Sequence, residues 1–173
     1  MRVEIGNKEI FSRCILKAFG IDIHKESFNG ISFDSRKIKN GDVFIAFKGK
    51  EYNGHNYIDE CISKGATLII NETFNKHKNI IKVDSSKVAL KVLSKLYRSH
   101  MDCKVVGITG SNGKTTTKEL LAHILESKFS ISYTKGNYNS TIGMPMSTFS
   151  ISSTDEIFIA EIGTNNKGEI KYL

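Results

Sequence analysis

Residues 104–119, KVVGITGSNGKTTTKE, decide how this chain is read. The apolar run at 104–109 predicts a strand, and Leu120, Leu121, Ile124 and Leu125 place one apolar face on a helix over 115–127. Between them lies a glycine-rich turn, the context that a phosphate-binding loop requires. Gly110, Ser111, Asn112 and Gly113 let backbone N–H groups curl around phosphate oxygens, and the helix start at Lys114, Thr115 and Thr116 adds positive potential. Lys114 supplies a mobile cation for the β and γ phosphates of a nucleotide such as ATP, and Thr115 a hydroxyl for Mg2+. The general pattern G-x-x-x-x-G-K-[ST] would put its first glycine at position 108, where Ile108 stands; the glycines present are Gly107 and Gly110. Only the second half of the pattern is matched, so an ordinary strand-to-helix turn stays open on this motif alone.

Working outward, strands are predicted at 130–134 and 156–162, so β and α elements alternate and a mostly parallel sheet covered by helices follows. Glu161 falls at the end of the second of these strands. The series is short: it would leave a sheet edge and an apolar face uncovered, and the chain is expected to be a fragment. Upstream, Ile10, Phe11, Cys14, Ile15, Ala18 and Phe19 recur at helical spacing and stop at Gly20. Strands are predicted at 31–35 and 42–47 with turn residues Lys39, Asn40 and Gly41 between them. A short helix over 57–62 closes near Gly65, and strands follow at 67–70 and 80–83. From 85 onward Val88, Ala89, Val92, Leu93, Leu96 and Tyr97 define an amphipathic helix that ends near His100. There the composition changes, and a boundary is placed at about residue 102. The fold class is α/β: a small α/β substrate domain over 1–101, followed by the first, incomplete part of a P-loop NTPase-like domain over 102–173.

Composition supports a folded chain, since 39% of its 173 residues are hydrophobic and 25% charged. The start, MRVEIGNKEIF, has no basic stretch followed by a sustained apolar run, and nowhere do about 18 apolar residues run together. The expectation is a cytoplasmic protein with no membrane partner. Cys14, Cys61 and Cys103 have no CxxC spacing, so neither a disulfide framework nor a zinc site is supported, and Cys14 and Cys61 fall on apolar helix faces. His24, His77, His100 and His123 show no ligand spacing, and His55 reads as a surface or capping residue. The net charge of +7 is uneven: residues 1–101 hold 18 Lys and Arg against 11 Asp and Glu, while 102–173 hold 7 against 7. An anionic partner or a solvated basic surface would each explain that excess.

The segment 106–119 (VGITGSNGKTTTKE) closely resembles the ATP loop of the Mur ligases, whose version reads T-G-x-x-G-K-T and lacks the common first glycine. Residues 134–145 (TKGNYNSTIGMP) and 159–170 (IAEIGTNNKGEI) resemble the members of that family that add D-alanyl-D-alanine to a UDP-MurNAc-tripeptide. Residues 31–65 resemble the amino-terminal domain of the same enzymes through Asp34-Ser35-Arg36, DVFIAFKG and Asn53-Gly54-His55, with Asn53 where the family has Asp. The resemblance implies transfer of the γ-phosphoryl group of ATP to the terminal carboxylate of the tripeptide. The amine of D-Ala-D-Ala then attacks the acyl phosphate. It implies Lys114 and Glu161 as catalytic residues, Thr115 and Glu161 as ligands of Mg2+, Asn137 and Asn139 in the substrate or metal region, and Ser35 and Arg36 at the uridine diphosphate. Read without the family, Glu161 is a solvated strand end, Asn137 and Asn139 are turn formers, and Arg36 is an exposed arginine.

Full-length members carry the rest of the ATPase domain and a third domain, so this chain alone should not turn over; a full-length monomer is expected. Two rivals come from the first half's charge and from shared motifs. One is the ligase that adds the third amino acid to the UDP-MurNAc-dipeptide, against which the segments GNYNS and AEIGTNNKGEI argue. The other is a non-catalytic nucleotide- or nucleic-acid-binding module, which lacks a dense Lys/Arg stripe and any Trp. No nucleic-acid partner is therefore expected.

Overall fold

The computed structural model describes residues 1–21, 28–73, 79–164 and 166–173. The chain opens with strand β1 (Arg2–Glu4) and helix α1 (Lys8–Phe19). Asn7 starts that helix by accepting the Ile10 amide, and Gly20, at φ +71°, ends it by donating to the Leu16 carbonyl. Strands β2 (Gly30–Ser32) and β3 (Asp42–Ile45), helix α2 (Ile58–Ser63), strands β4 (Leu68–Asn71) and β5 (Ile80–Lys82), and helix α3 (Ser86–Arg98) complete the first layer set. Its sheet runs β1-β2-β3-β4-β5, parallel apart from β1, which pairs antiparallel with β2. Then come β6 (Lys104–Ile108), α4 (Lys114–Leu125), β7 (Ile131–Tyr133), α5 (Gly143–Thr148), β8 (Ile157–Glu161) and α6 (Glu169–Tyr172). The second sheet is all parallel, ordered β6-β8-β7.

The two faces of the first sheet follow from the period of two along a strand. Val43, Ile45, Leu68 and Ile70 pack on one side with Phe11 and Ile15 of α1 and Leu90 and Leu93 of α3. Phe44, Ala46 and Ile69 pack on the other with Ile58 and Cys61 of α2. In the second sheet Ile157 and Ile159 of β8 face Ala122 of α4, while Phe158 and Ala160 turn the other way and join the first core. The sheets change between α3 and β6, but the apolar layer runs on through α1, α3 and α5. Its centre is aromatic, with Phe11, Tyr97 and Phe149 in mutual edge contact. The Tyr97 hydroxyl accepts from the Asn7 amide at 2.8 Å and donates to the Ile151 carbonyl at 2.7 Å, tying three segments.

Several expectations shift in detail. The buried stripe of α3 is Ser86, Ala89, Leu90, Leu93, Ser94 and Tyr97, whereas Val88 and Val92 are exposed. A single 3.6-residue stripe that runs through 89, 93 and 97 cannot hold 88 and 92 together with 90 and 94, and packing against α1 and α5 selects 90 and 94. On α4, Leu120 and Ile124 are exposed and Lys118 and Ala122 face inward. The strand expected to reach 35 stops at Ser32, because Asp34 caps a 3-10 turn over Ser35–Lys37. Strand β1 and helix α5 were not foreseen; each is too short to show a period.

Candidate active site

Strand β6 delivers the chain to the glycine loop. Gly110 and Gly113 have φ of +150° and +76°, conformations that side-chain-bearing residues rarely adopt. A Cβ on Gly113 would meet nothing within 4 Å, so backbone conformation and not crowding calls for glycine there. Helix α4 starts at Lys114 without a side-chain cap, leaving its first turn of N–H groups toward the loop. Ser111, Asn112 and Thr116 are exposed around it. The Lys114 ammonium folds back onto the loop, 2.6 Å from the Gly110 carbonyl and 3.4 Å from that of Ser111.

Sheet register brings the acid to this loop. Glu161, the last residue of β8, pairs with Ile108, the last of β6, two residues before Gly110. It is 1% exposed. Its Oε1 accepts from the Thr115 hydroxyl at 3.1 Å and from Asn139 Nδ2 at 2.7 Å. Its Oε2 lies 3.3 Å from Lys118 Nζ yet, among the described residues, accepts no hydrogen bond. Burial alone would raise the Glu161 carboxyl, but the bonds from Asn139 and Thr115 and the nearby Lys118 ammonium outweigh it and hold it below its ordinary value. Glu161 is therefore an anion at neutral pH. Asn139 is clamped in place, since its carbonyl accepts the Gly163 amide at 2.9 Å and a Cβ on Gly163 would come within 2.7 Å of the Asn139 side chain.

Sequence reasoning missed Lys118. It is wholly buried, with its ammonium 3.2 Å from the Gly136 carbonyl and 3.1 Å from Glu119 Oε1. The available signal was its place at i and i+4 with Ala122 on the sheet side of α4, a position that an amphipathic reading reserves for apolar residues. Asn137 is exposed in the turn after β7, and among the described residues its side chain makes no hydrogen bond. It is not among the groups that touch Glu161.

Ser35 and Arg36 lie elsewhere, on a cavity of about 540 Å³ walled by Phe33, Phe44, Phe47, Tyr52 and Tyr57. Ile142, from the segment between β7 and β8, reaches over to line it as well. Arg36 holds Asp34 in a two-pronged pair, Nε at 2.8 Å and Nη2 at 3.0 Å, which leaves Nη1 to other partners. The Arg36 hydrogen bond is also the main reason that the Asp34 carboxyl drops to about 2. The Ser35 carbonyl accepts from Lys64 at 3.0 Å.

Of the remaining histidines and cysteines, His55 and the three cysteines are structural, while His100 and His123 are exposed. His55 Nε2 accepts the Glu72 amide at 3.1 Å, so Nδ1 carries the proton of the neutral ring and donates to Asn53 Oδ1 at 2.7 Å. His24 and His77 lie outside the described residues. Cys14, Cys61 and Cys103 are all buried, and burial pushes the Cys14 thiol up to about 11 and that of Cys61 up to about 12. Among the described residues no group of three or more His, Cys, Asp or Glu side chains could cage a metal, and no helix is long and apolar enough to cross a membrane.

The chain matches known proteins along nearly all of this architecture. Residues 27–120 match the Mur ligase family, catalytic domain, and residues 108–173 the Mur ligase middle domain. Relatives named UDP-N-acetylmuramoyl-tripeptide--D-alanyl-D-alanine ligase include that of Rickettsia prowazekii, 37% identical over 166 residues, and that of Bacillus subtilis, 34% identical over 149. These alignments cover 94% and 84% of this chain but 37% and 33% of the relatives, so the chain spans about a third of their length. Among solved structures, the MurF ligase of Thermotoga maritima in complex with ADP superposes with a TM-score of 0.75 at 38% identity, covering 82% of this chain and 34% of that one. The D-alanyl-D-alanyl ligase of Acinetobacter baumannii gives 0.81 at 31% identity, covering 93% and 38%. With the glycine loop, the register that seats Glu161 beside it and these alignments in agreement, the chain belongs to the Mur ligase family.

Proposed function

We propose that this chain forms the precursor-binding and ATP-binding parts of a ligase that joins D-alanyl-D-alanine to UDP-MurNAc-tripeptide in peptidoglycan synthesis. The observation that carries the reading is the β6–β8 register, which sets an ionised Glu161 against the Thr115 hydroxyl at the base of the glycine loop. In this reading residues 1–101 take the UDP end of the precursor and 102–173 take ATP. The loop amides and Lys114 hold the β and γ phosphates. The γ-phosphoryl group passes to the terminal carboxylate, giving ADP and an acyl phosphate. The amine of D-Ala-D-Ala attacks that carbonyl carbon, and phosphate leaves. Phosphoryl transfer asks the protein chiefly for placement and charge neutralisation.

The residues present fit Mg2+. A buried carboxylate whose Oε1 meets the Thr115 hydroxyl and whose Oε2, 3.3 Å from the Lys118 ammonium, accepts no hydrogen bond among the described residues offers the oxygen donors that a hard cation takes alongside nucleotide phosphates. Mg2+ bound there would neutralise charge building on the phosphate oxygens. Asn139 orients Glu161, and Asn137, exposed on the same loop, is assigned to the substrate. At the other site the aromatic walls suit a uracil ring, and the free Nη1 of Arg36 with the Ser35 backbone turn suits the diphosphate.

Calorimetric titration with UDP-MurNAc-tripeptide and separately with UDP-MurNAc-dipeptide tests this. Tighter binding of the tripeptide is expected. Preference for the dipeptide would move the enzyme one step back in the reaction sequence, and no binding of either by the folded protein would overturn the role given to the first sheet.

A further inference from the structure

We propose that Lys118 keeps the Glu161 corner from holding a divalent cation on its own, so that the metal enters with the nucleotide. This rests on the reading of Glu161 as a metal ligand. The argument is one of charge and confinement. The Lys118 ammonium lies 3.3 Å from Glu161 Oε2 and is wholly buried. A cation on that carboxylate would sit about 2.0–2.2 Å from oxygen, hence within roughly 4–6 Å of the ammonium, where like charges interact strongly away from water. Lys118 cannot swing aside, because the Gly136 carbonyl at 3.2 Å and Glu119 at 3.1 Å hold it and protein surrounds its stem.

Glu161 and Lys118 together are neutral. Thr115 and Asn139, the other groups on the carboxylate, are neutral too. Glu119 is half exposed, so water screens its charge. Among the described residues no acid cluster stands by to supply the missing negative charge. The phosphates of a nucleotide in the glycine loop would supply it. Lys118 thus acts through Glu161 as a positioning residue: it pins the carboxylate beside Thr115 and offsets the charge that would otherwise draw in a bare ion.

The test is Mn2+ binding to the purified protein without nucleotide, followed by the electron paramagnetic resonance of free Mn2+. Lys118→Met and Lys118→Gln remove the charge; Gln keeps a donor for the Gly136 carbonyl and serves if Met does not fold. Both should bind Mn2+ at least about ten-fold tighter than the unaltered protein, whereas Lys118→Arg, which retains the charge, should not. A purely structural role predicts the opposite, a loss of affinity as the carboxylate loosens. Neutral variants that fold and bind Mn2+ no more tightly would overturn the proposal. Glu161→Gln separates the two layers of the argument. If it leaves Mn2+ affinity unchanged in the Lys118→Gln background, the metal reading of Glu161 fails, and the proposal falls with it. If it abolishes binding while the Lys118 variants show no gain, only the role of Lys118 fails.

Discussion

Two buried carboxylates sit at opposite ends of central strands, and they are treated differently. Asp42 opens β3, and both its oxygens are engaged: Arg2 donates at 2.6 and 2.8 Å, and the Lys39 amide at 2.9 Å. Glu161 closes β8 and has one oxygen with an ammonium nearby but no hydrogen bond. Parallel sheets gather their ligands at the carboxyl ends of strands, and the cavity by Ser35 and Arg36 likewise lies past the ends of β2 and β3. The acid at the amino end has both oxygens hydrogen-bonded as part of the scaffold, whereas the one at the carboxyl end keeps an oxygen with only the Lys118 ammonium beside it.

The sharpest way to break this contrast is to remove both acids in turn. Asp42→Ala strands Arg2 and the Lys39 amide in the interior and should cost about 3–5 kcal/mol in denaturant unfolding, with nucleotide affinity of the folded protein unchanged. Glu161→Gln keeps the bonds from neighbours largely replaceable and should cost about 1–3 kcal/mol. Equal losses would mean that Glu161 is as much scaffold as Asp42. Next in size, Lys114→Met should weaken ADP binding about 100-fold, near 2.7 kcal/mol, while the midpoint of thermal unfolding stays put, because among the described residues the ammonium bonds only to loop carbonyls. A large fall in melting temperature would make Lys114 a structural clasp.

How much of this was legible beforehand differs between the two ends. The glycine loop, Glu161 and the α/β alternation could be read because strand, turn and helix each leave a local pattern, and the structure brings the Thr115 hydroxyl onto Glu161. The spacing of Lys118 with Ala122 was a signal, but its partners could not be read, because they depend on which way α4 rolls against the sheet. The same roll leaves Leu120 and Ile124 outside, where the apolar pattern alone placed them on the buried face. Arg2 was invisible for a similar reason: its partner is 40 residues away, and β1 is only three residues long. The shared core was also hidden, since nothing local tells Phe149 that it will meet Phe11.

That shared core offers a smaller test of how independent the two regions are. Tyr97→Phe leaves the Asn7 amide and the Ile151 carbonyl unpaired in the interior and should cost about 1–3 kcal/mol. If the two sheets unfold as one unit, the transition should stay single and shift as a whole. A split into two transitions would show that the Tyr97 hydroxyl, and not the aromatic packing around it, joins the halves.

The smallest effect is at the rim of the aromatic cavity, where an ion pair faces water. Asp34 is held at about 2 against an ordinary 3.8, chiefly by Arg36. A depressed carboxyl contributes stability that is complete above its unfolded value and is lost as pH falls through the folded one. The window is therefore about pH 4 to 2. Arg36 is exposed, so water screens the pair and the gain is small. Arg36→Ala should flatten the acid limb of a stability-against-pH curve within that window and leave stability at pH 7 lower by the same small amount. Affinity for UDP, measured at pH 7, should fall by about ten-fold or more, because Nη1 leaves with the side chain. If stability changes and UDP affinity does not, the pair is scaffold after all, and the carboxyl-end rule holds for Glu161 alone.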